Sequence, residues 1–164
     1  MPNHEVIMPT IEIHAERPDT PDAMALISEL ETHLAAGYPS ESRHGYSVEK
    51  LIRQRVDFFI VRSDGMAAAC GGLQAYDTYG ELKRMYVRPV FRGLGFGKLM
   101  VNHLVEHAQR QGLPLVRLET GIHQKEAIGL YERMGFQQIG PFGEYKPDPL
   151  SLFYEKPIAA GDMP

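Results

Sequence analysis

Residues 92–98 read RGLGFGK, three glycines at alternate positions between an arginine and a lysine. Residue types of this kind hold anions. Glycine lets backbone amides approach a ligand closely, and a helix N-terminus adds unpaired N–H groups and the positive end of its dipole. Arg92 and Lys98 add charged donors. The stretch is not a P-loop. Counting back from Gly97-Lys98 puts Arg92 where the first glycine of G-x-x-x-x-G-K-[ST] belongs, and Leu99 stands where a hydroxyl is required. Nor is it the G-x-G-x-x-G dinucleotide fingerprint, because the spacing is G-x-G-x-G and it follows three strands read as antiparallel. On composition alone, a glycine-rich connector with two solvated cations competes with the anion site. Two other patterns point away from chemistry. His103 and His107 have the spacing of paired zinc ligands, but Leu104 replaces the glutamate of H-E-x-x-H. Both histidines lie off the apolar face, so surface positions and no metal are expected. Cys70, in AAACGGL, reads as a core thiol rather than a nucleophile.

The elements that must position this loop are legible around it. TIEIHAE alternates as a first strand, and TPDAMALISELETHLAAG is a helix with Pro21 in its first turn, Met24, Ile27, Leu30 and Leu34 as its stripe and Gly37 at its stop. A polar loop, YPSESRHG, leads to a short second helix in YSVEKLIRQ. Three strands follow, DFFIVRS, MAAACGGLQAY and ELKRMYVRP, with Asp64-Gly65 as a hairpin turn and hence an antiparallel meander. The glycines then open a long helix whose inner face is Gly97, Met100, Val101, Leu104, Val105 and Ala108, and Gly112 and Pro114 end it. LVRLETG is a strand, and QKEAIGLYERMG is a helix with Ala127, Leu130, Tyr131 and Met134 inside. FQQIG and LSLFYEK are closing strands. The order predicts an α+β domain with a mixed sheet in three αβα layers, about seven strands and four helices.

With 164 residues a single domain is expected, spanning 1–157, with 158–164 as a loose tail. A net charge of −4 argues against a general nucleic-acid grip, and the basic, aromatic RMYVRPVFR is explained by an anion site. One cysteine permits no internal disulfide, no apolar run reaches membrane-spanning length, and MPNHEVIMPT lacks the pattern of a signal peptide. A cytoplasmic protein without membrane or nucleic-acid partners is expected.

Arg92-Gly93-Leu94-Gly95-Phe96-Gly97 matches [QR]-x-x-G-x-[GA], the acyl-CoA pyrophosphate pattern of the GNAT superfamily of N-acetyltransferases. Ala127-Ile128-Gly129-Leu130-Tyr131, ending in Gly135-Phe136, is similar to that superfamily's A-x-x-L-Y-x-x-x-G-F segment. The chain therefore resembles a bacterial, small-molecule-type member over roughly 57–157, with the earlier residues matching by order alone. The resemblance implies acetyl-CoA as co-substrate, no metal, and pyrophosphate contacts from Arg92, Gly93, Leu94, Gly95, Phe96, Gly97 and Lys98. It also implies pantetheine pairing along Met85, Tyr86 and Val87, a strand that splays from its neighbour with Pro89 where its pairing ends, and a carbonyl polarised by an amide at or beside Val87. Gln124 stands where the family often has asparagine on the pantetheine arm. Glu81 is implied as the general base, at the offset from Arg92 that the histone-acetylating branch uses. Strand alternation puts it on one face with Lys83, Met85 and Val87. The same carboxylate also reads as a partner of Lys83 or Arg84, and Glu119 is a second base candidate. Tyr131 is implied as the acid for the leaving thiolate, or as core packing, or both.

Acceptor contacts are expected in loops. Tyr38, Ser42, Arg43 and His44 on one side, with Tyr145, Lys146 and Asp148 on another, offer hydrogen bonds and carboxylate recognition. The reading is transfer of acetyl from acetyl-CoA to a small primary amine, one carrying a carboxylate, by direct attack in a ternary complex. A silent acyl-CoA-binding module and a protein acetyltransferase are the alternatives. A homodimer is expected, supported by the closing strands and by exposed apolar residues such as Phe153.

Overall fold

The protein is described by a computed structural model over residues 7–159. β1 (Ile11–Ala15) leads into α1 (Pro21–Gly37), where Thr20 caps the helix by accepting the Ala23 amide at 3.3 Å. A single 3-10 turn at Ser40–Ser42 precedes α2 (Val48–Arg53), which is capped by the Ser47 hydroxyl. The meander is β2 (Asp57–Ser63), β3 (Met66–Ala75) and β4 (Gly80–Val87). Asp64 and Gly65 join β2 to β3 at φ 49° and 80°, the pair of left-handed residues that a tight hairpin needs. A 3-10 turn at Pro89–Phe91 and the glycines open α3 (Phe96–Arg110). β5 (Leu115–Gly121), α4 (Lys125–Arg133), β6 (Gln137–Ile139) and β7 (Ser151–Pro157) complete the chain.

The strands form one sheet in the order β1-β2-β3-β4-β5-β7-β6, antiparallel except where β4 meets β5. α1 and α2 cover one face, packing Ala23, Leu26, Ile27, Leu30 and Leu51 on Phe58, Ile60, Cys70 and Tyr86. α3 and α4 cover the other, packing Met100, Val101, Leu104 and Tyr131 on Val61, Leu73, Leu82 and Leu118. This is the expected three-layer α+β domain with seven strands and four helices.

Two irregularities in β4 shape everything downstream. Its pairing with β5 is confined to Gly80↔Val116 and Glu81↔Arg117, so the strands part near Glu81, well before Pro89. The β5-facing edge from Leu82 to Val87 makes no ladder bonds. The second irregularity is a bulge. Between Cys70↔Tyr86 and Gly72↔Lys83, β4 spends two residues against one of β3, and Arg84 sits at φ 54°. The bulge resets the alternation. Lys83 and Arg84 both lie on the α1–α2 side, against Tyr46 and Glu31, whereas Met85 and Val87 pack into the core under α3. Glu81 and Lys83 therefore do not share a face with Met85 and Val87, as plain alternation had predicted.

Other expectations shift for packing reasons. Met24 is 45 % exposed, and the small Ala23 takes its place on the face of α1 that lies closest to the sheet. Phe153 is 4 % exposed, edge-on to Phe142 and beside Tyr145, so it presents no apolar surface for a dimer. His103 and His107 are half-buried rather than on the surface, both set against the ring of Phe59. Ile158 is buried and its amide donates to Pro114 O at 2.9 Å, so packed chain continues one residue past the boundary predicted at 157. Residues 160–164 of the predicted tail lie outside the described residues.

Candidate active site

The glycine loop is built as an anion cradle. Gly93 and Gly95 adopt φ 78° and 87°, the left-handed region that glycine enters without strain, and a Cβ on either would meet nothing within 4 Å. The space over the loop is therefore open. Gly95 caps α3, and the amides of residues 93–98 donate to no backbone carbonyl, so they and the helix dipole face that space. Arg92 and Lys98 are exposed beside it, Arg92 steadied by donating Nε–H to Val87 O at 3.1 Å. Leu94 is exposed. Phe96 contributes its backbone only, since its ring is buried against Phe91. Gly97 serves packing as well, for a Cβ there would come within 3.0 Å of Leu130 on α4.

A cleft of about 130 Å³ lies at the parting of β4 and β5. It gathers residues from six parts of the chain: Leu30 and Leu34 from α1, the 38–45 loop, Glu81 to Met85, Leu118 to Gly121, Gln124 with Tyr131 at and within α4, and Tyr145. Glu81, Glu119, Tyr131, Tyr38, Ser42, His44, Met85 and Gln124 all line it. Tyr86 lies outside, with its hydroxyl 3.4 Å from Glu29, and Val87 packs in the core beneath α3.

The two glutamates of the cleft differ sharply. Glu81 is 2 % exposed, and one of its oxygens is held twice, by Lys83 Nζ at 2.7 Å and by the donating Tyr145 hydroxyl at 2.6 Å. Lys83 is 6 % exposed, stands 4.0 Å over the Tyr46 ring and also donates to the Tyr145 oxygen at 3.2 Å. Two opposite charges are tolerated in so dry a place because each satisfies the other. Glu119 has no cationic partner within ion-pair distance among the described residues. Desolvation raises its proton affinity above that of an ordinary carboxyl, and the charge of Glu81 adds to the rise, while the Ser151 hydroxyl first, then His44 and Lys83, oppose it. The Tyr131 phenol is raised too, by burial first and by Glu119 second, so it stays protonated at neutral pH. Its hydroxyl bonds no other described residue, and its ring lies edge-on to Phe136.

The acceptor side is tied down by aromatic hydroxyls. Tyr38 is buried and its oxygen accepts the His123 amide at 2.9 Å and the Gln124 side-chain amide at 3.4 Å. Gln124 also meets His33 at 3.2 Å, so its amide already has two protein partners. His44 lies 3.6 Å from Asp148, with the Tyr145 ring edge-on. Lys83 and Arg84, legible in the sequence only as partners for Glu81, themselves line the cleft, and Tyr46, which the sequence did not single out, stands under Lys83. A signal existed: adjacent lysine and arginine in an otherwise apolar strand cannot both be accommodated by strict alternation.

The family model described as Acetyltransferase (GNAT) family matches residues 24–136. The chain belongs to the GNAT acetyltransferase family. It is an acetyl-CoA-dependent N-acetyltransferase. A relative named IAA acetyltransferase from Azospirillum brasilense is 41% identical over 154 residues, spanning 92% of this chain and all of the relative. An N-acetyltransferase of Bacillus subtilis, YsnE, described as uncharacterized, is 33% identical over 82% of this chain and 91% of its own length. A Klebsiella pneumoniae structure, described as a proposed acyl-CoA N-acyltransferase, superposes with a TM-score of 0.77 at 35% identity, over 90% of this chain and 97% of that one. The PaiA N-acetyltransferase of Thermoplasma acidophilum, solved with coenzyme A, shares the fold at a TM-score of 0.70 and 21% identity, over 91% of this chain and 99% of its own. The residues of this GNAT acetyltransferase suit its co-substrate: an open cradle of free amides with two cations for a diphosphate, and beside it an unladdered strand edge for an amide-bearing arm.

Proposed function

We propose that this acetyltransferase acetylates a primary amine of a small molecule by direct attack, with both substrates bound together. The observation that carries the proposal is the cleft itself, in which a half-buried carboxylate without a cationic partner among the described residues and a buried phenol line the same small space at the parting of β4 and β5. Acetyl-CoA, when bound, supplies the activated acyl carbon. Glu119 accepts the proton that the attacking ammonium must lose, directly or through one water. We assign the base to Glu119 rather than to Glu81, because the Glu81 carboxylate is already engaged by Lys83 and Tyr145. Glu81 then positions Lys83 and Tyr145. The Tyr131 hydroxyl offers a proton to the departing sulfur. A β4 amide in the Met85–Val87 stretch, freed by the parting of the strands, is the proposed donor to the acyl oxygen, and Arg92 to Lys98 hold the diphosphate. The single, buried thiol of Cys70 suits a reducing, cytoplasmic setting.

The test is thiol release from acetyl-CoA across a panel of small amines and lysine-bearing peptides, with the product identified by mass. Acetylation of small amines supports the proposal. Acetylation of peptides alone, or binding of acetyl-CoA with no transfer to anything, overturns it. Tyr131→Phe should lower turnover while leaving acetyl-CoA affinity nearly unchanged, because the hydroxyl acts on charge that develops late.

A further inference from the structure

The cleft is lined by four cationic or protonatable side chains, Arg43, His44, Lys83 and Arg84, and by two carboxylates, Glu81 and Glu119. Most of these charges are spoken for. Lys83 is paired with Glu81 at 2.7 Å. Arg84 is paired with Glu31 and donates Nε–H to Tyr46 O at 2.7 Å. Asp148, the acid nearest His44, accepts the Leu150 amide at 2.9 Å. Two charges are left over. One is Glu119. The other is Arg43, whose nearest carboxylate among the described residues is Glu31 at 4.0 Å, an acid that Arg84 already holds. The Arg43 Nε is buried without a hydrogen-bond partner, and so is the neighbouring His44 Nε2, which stops 3.6 Å short of Asp148. Buried polar nitrogens without partners are costly to leave so, and a fold that keeps two of them on neighbouring residues of a ligand cleft is set to satisfy them with a ligand.

We infer that the acceptor is zwitterionic: an amino acid or similar primary amine bearing a carboxylate, its carboxylate held by Arg43 and His44 while its amine faces Glu119. This inference rests on the amine-acetylation reading above and adds the second functional group of the acceptor. Planar guanidinium suits a planar carboxylate, which is the reason for giving Arg43 rather than Lys83 the leading part. Arg43 also sits on the 38–45 loop, while Glu119 sits on β5, so the cleft draws its opposite charges from two separate elements. Gly45 lets that loop lie on β4, because a Cβ at this position would overlap the Arg84 guanidinium.

The test compares amino acids of increasing amine-to-carboxylate spacing, each against its own carboxamide, which keeps shape and removes the charge. In the unaltered enzyme the free acid should exceed its amide in kcat/KM by about tenfold or more at the best spacing, the worth of a charge-assisted contact. In Arg43→Gln that ratio should fall toward one, chiefly through a higher KM for the acid. The acetyl-CoA KM of the same variant serves as the control for folding. Acids and amides used equally well by the unaltered enzyme would overturn the inference and leave amine acetylation standing. A preference that survives Arg43→Gln would overturn the assignment to Arg43. No transfer to either series, with transfer to peptides alone, would overturn the reading beneath it.

Discussion

Glu119 and Glu81 make opposite predictions although both are carboxylates of one cleft. Glu119→Gln should lower turnover by about 10²–10⁴-fold, and in the unaltered enzyme activity should rise with pH through the raised proton affinity of Glu119. The same group costs stability. Its affinity for protons is higher folded than unfolded, so between the ordinary carboxyl range and the raised folded value the native state binds more protons, and stability falls as pH climbs through that window. Glu119→Gln should therefore melt at a higher temperature than the unaltered protein at neutral pH and lose that advantage in acid, as calorimetry across pH would report. Glu81→Gln should do the reverse. It leaves Lys83 buried with no carboxylate partner, which should cost on the order of 3 kcal/mol of stability. A silent Glu119→Gln with an inactive but stable Glu81→Gln would move the base back to β4. Cys70 is a simpler case. Burial pushes its thiol up to about 12, and its Sγ–H is turned to Arg84 O at 3.3 Å. It should resist alkylation at pH 8 until the protein unfolds, and rapid labelling of the native protein would contradict its place in the core.

At the scale of elements, the helix starts, the hairpin and the glycine loop were all legible, because each is written in adjacent residues. Asp64-Gly65 specifies its turn, Pro21 the first turn of α1, and the glycines of 93–97 the open backbone before α3. What could not be read depends on two strands at once. The β4 bulge exists only relative to β3, and the parting at Glu81 only relative to β5. Period-two alternation therefore put Met85 and Val87 on one face with Glu81 and Lys83, which the bulge separates; the pairing of Glu81 with Lys83 was legible as one of two neighbours, whereas Tyr145, 64 residues away, was not. Acceptor-side residues were nameable as loop residues, yet the convergence of Tyr38, Arg43, His44 and Tyr145 is tertiary. The loop itself gives the prediction that belongs here. Arg92→Ala should weaken acetyl-CoA binding by about 1.5–3 kcal/mol. Gly95→Asp should weaken it further, by placing a carboxylate and a strained φ at a phosphate cradle while touching no protein atom. Titration calorimetry that finds both affinities unchanged would remove the loop from the cofactor site.

Across the whole molecule, the sheet is one continuous surface joined by only two residue pairs between β4 and β5. β1 to β4 on one side and β5, β7 and β6 on the other are each well laddered, and α3 with its neighbours holds the halves together from beneath. Acetyl-CoA or coenzyme A binding across that seam should raise the melting temperature, by roughly 2.7 kcal/mol of stabilisation at a hundredfold excess over Kd. A melting temperature indifferent to coenzyme A would mean that the seam is not where it binds. The parting has a further consequence, for the protein's lifetime. From Leu82 to Val87 the sheet carries an edge at its centre, with backbone groups left out of any ladder with β5, and proteins usually shield such edges because they seed aggregation. Here the edge cannot be shielded by charge, proline or closure without closing the enzyme. An acyl donor lying along this edge would shield it, so the chain should aggregate more slowly with coenzyme A present than without it, as light scattering over time would report.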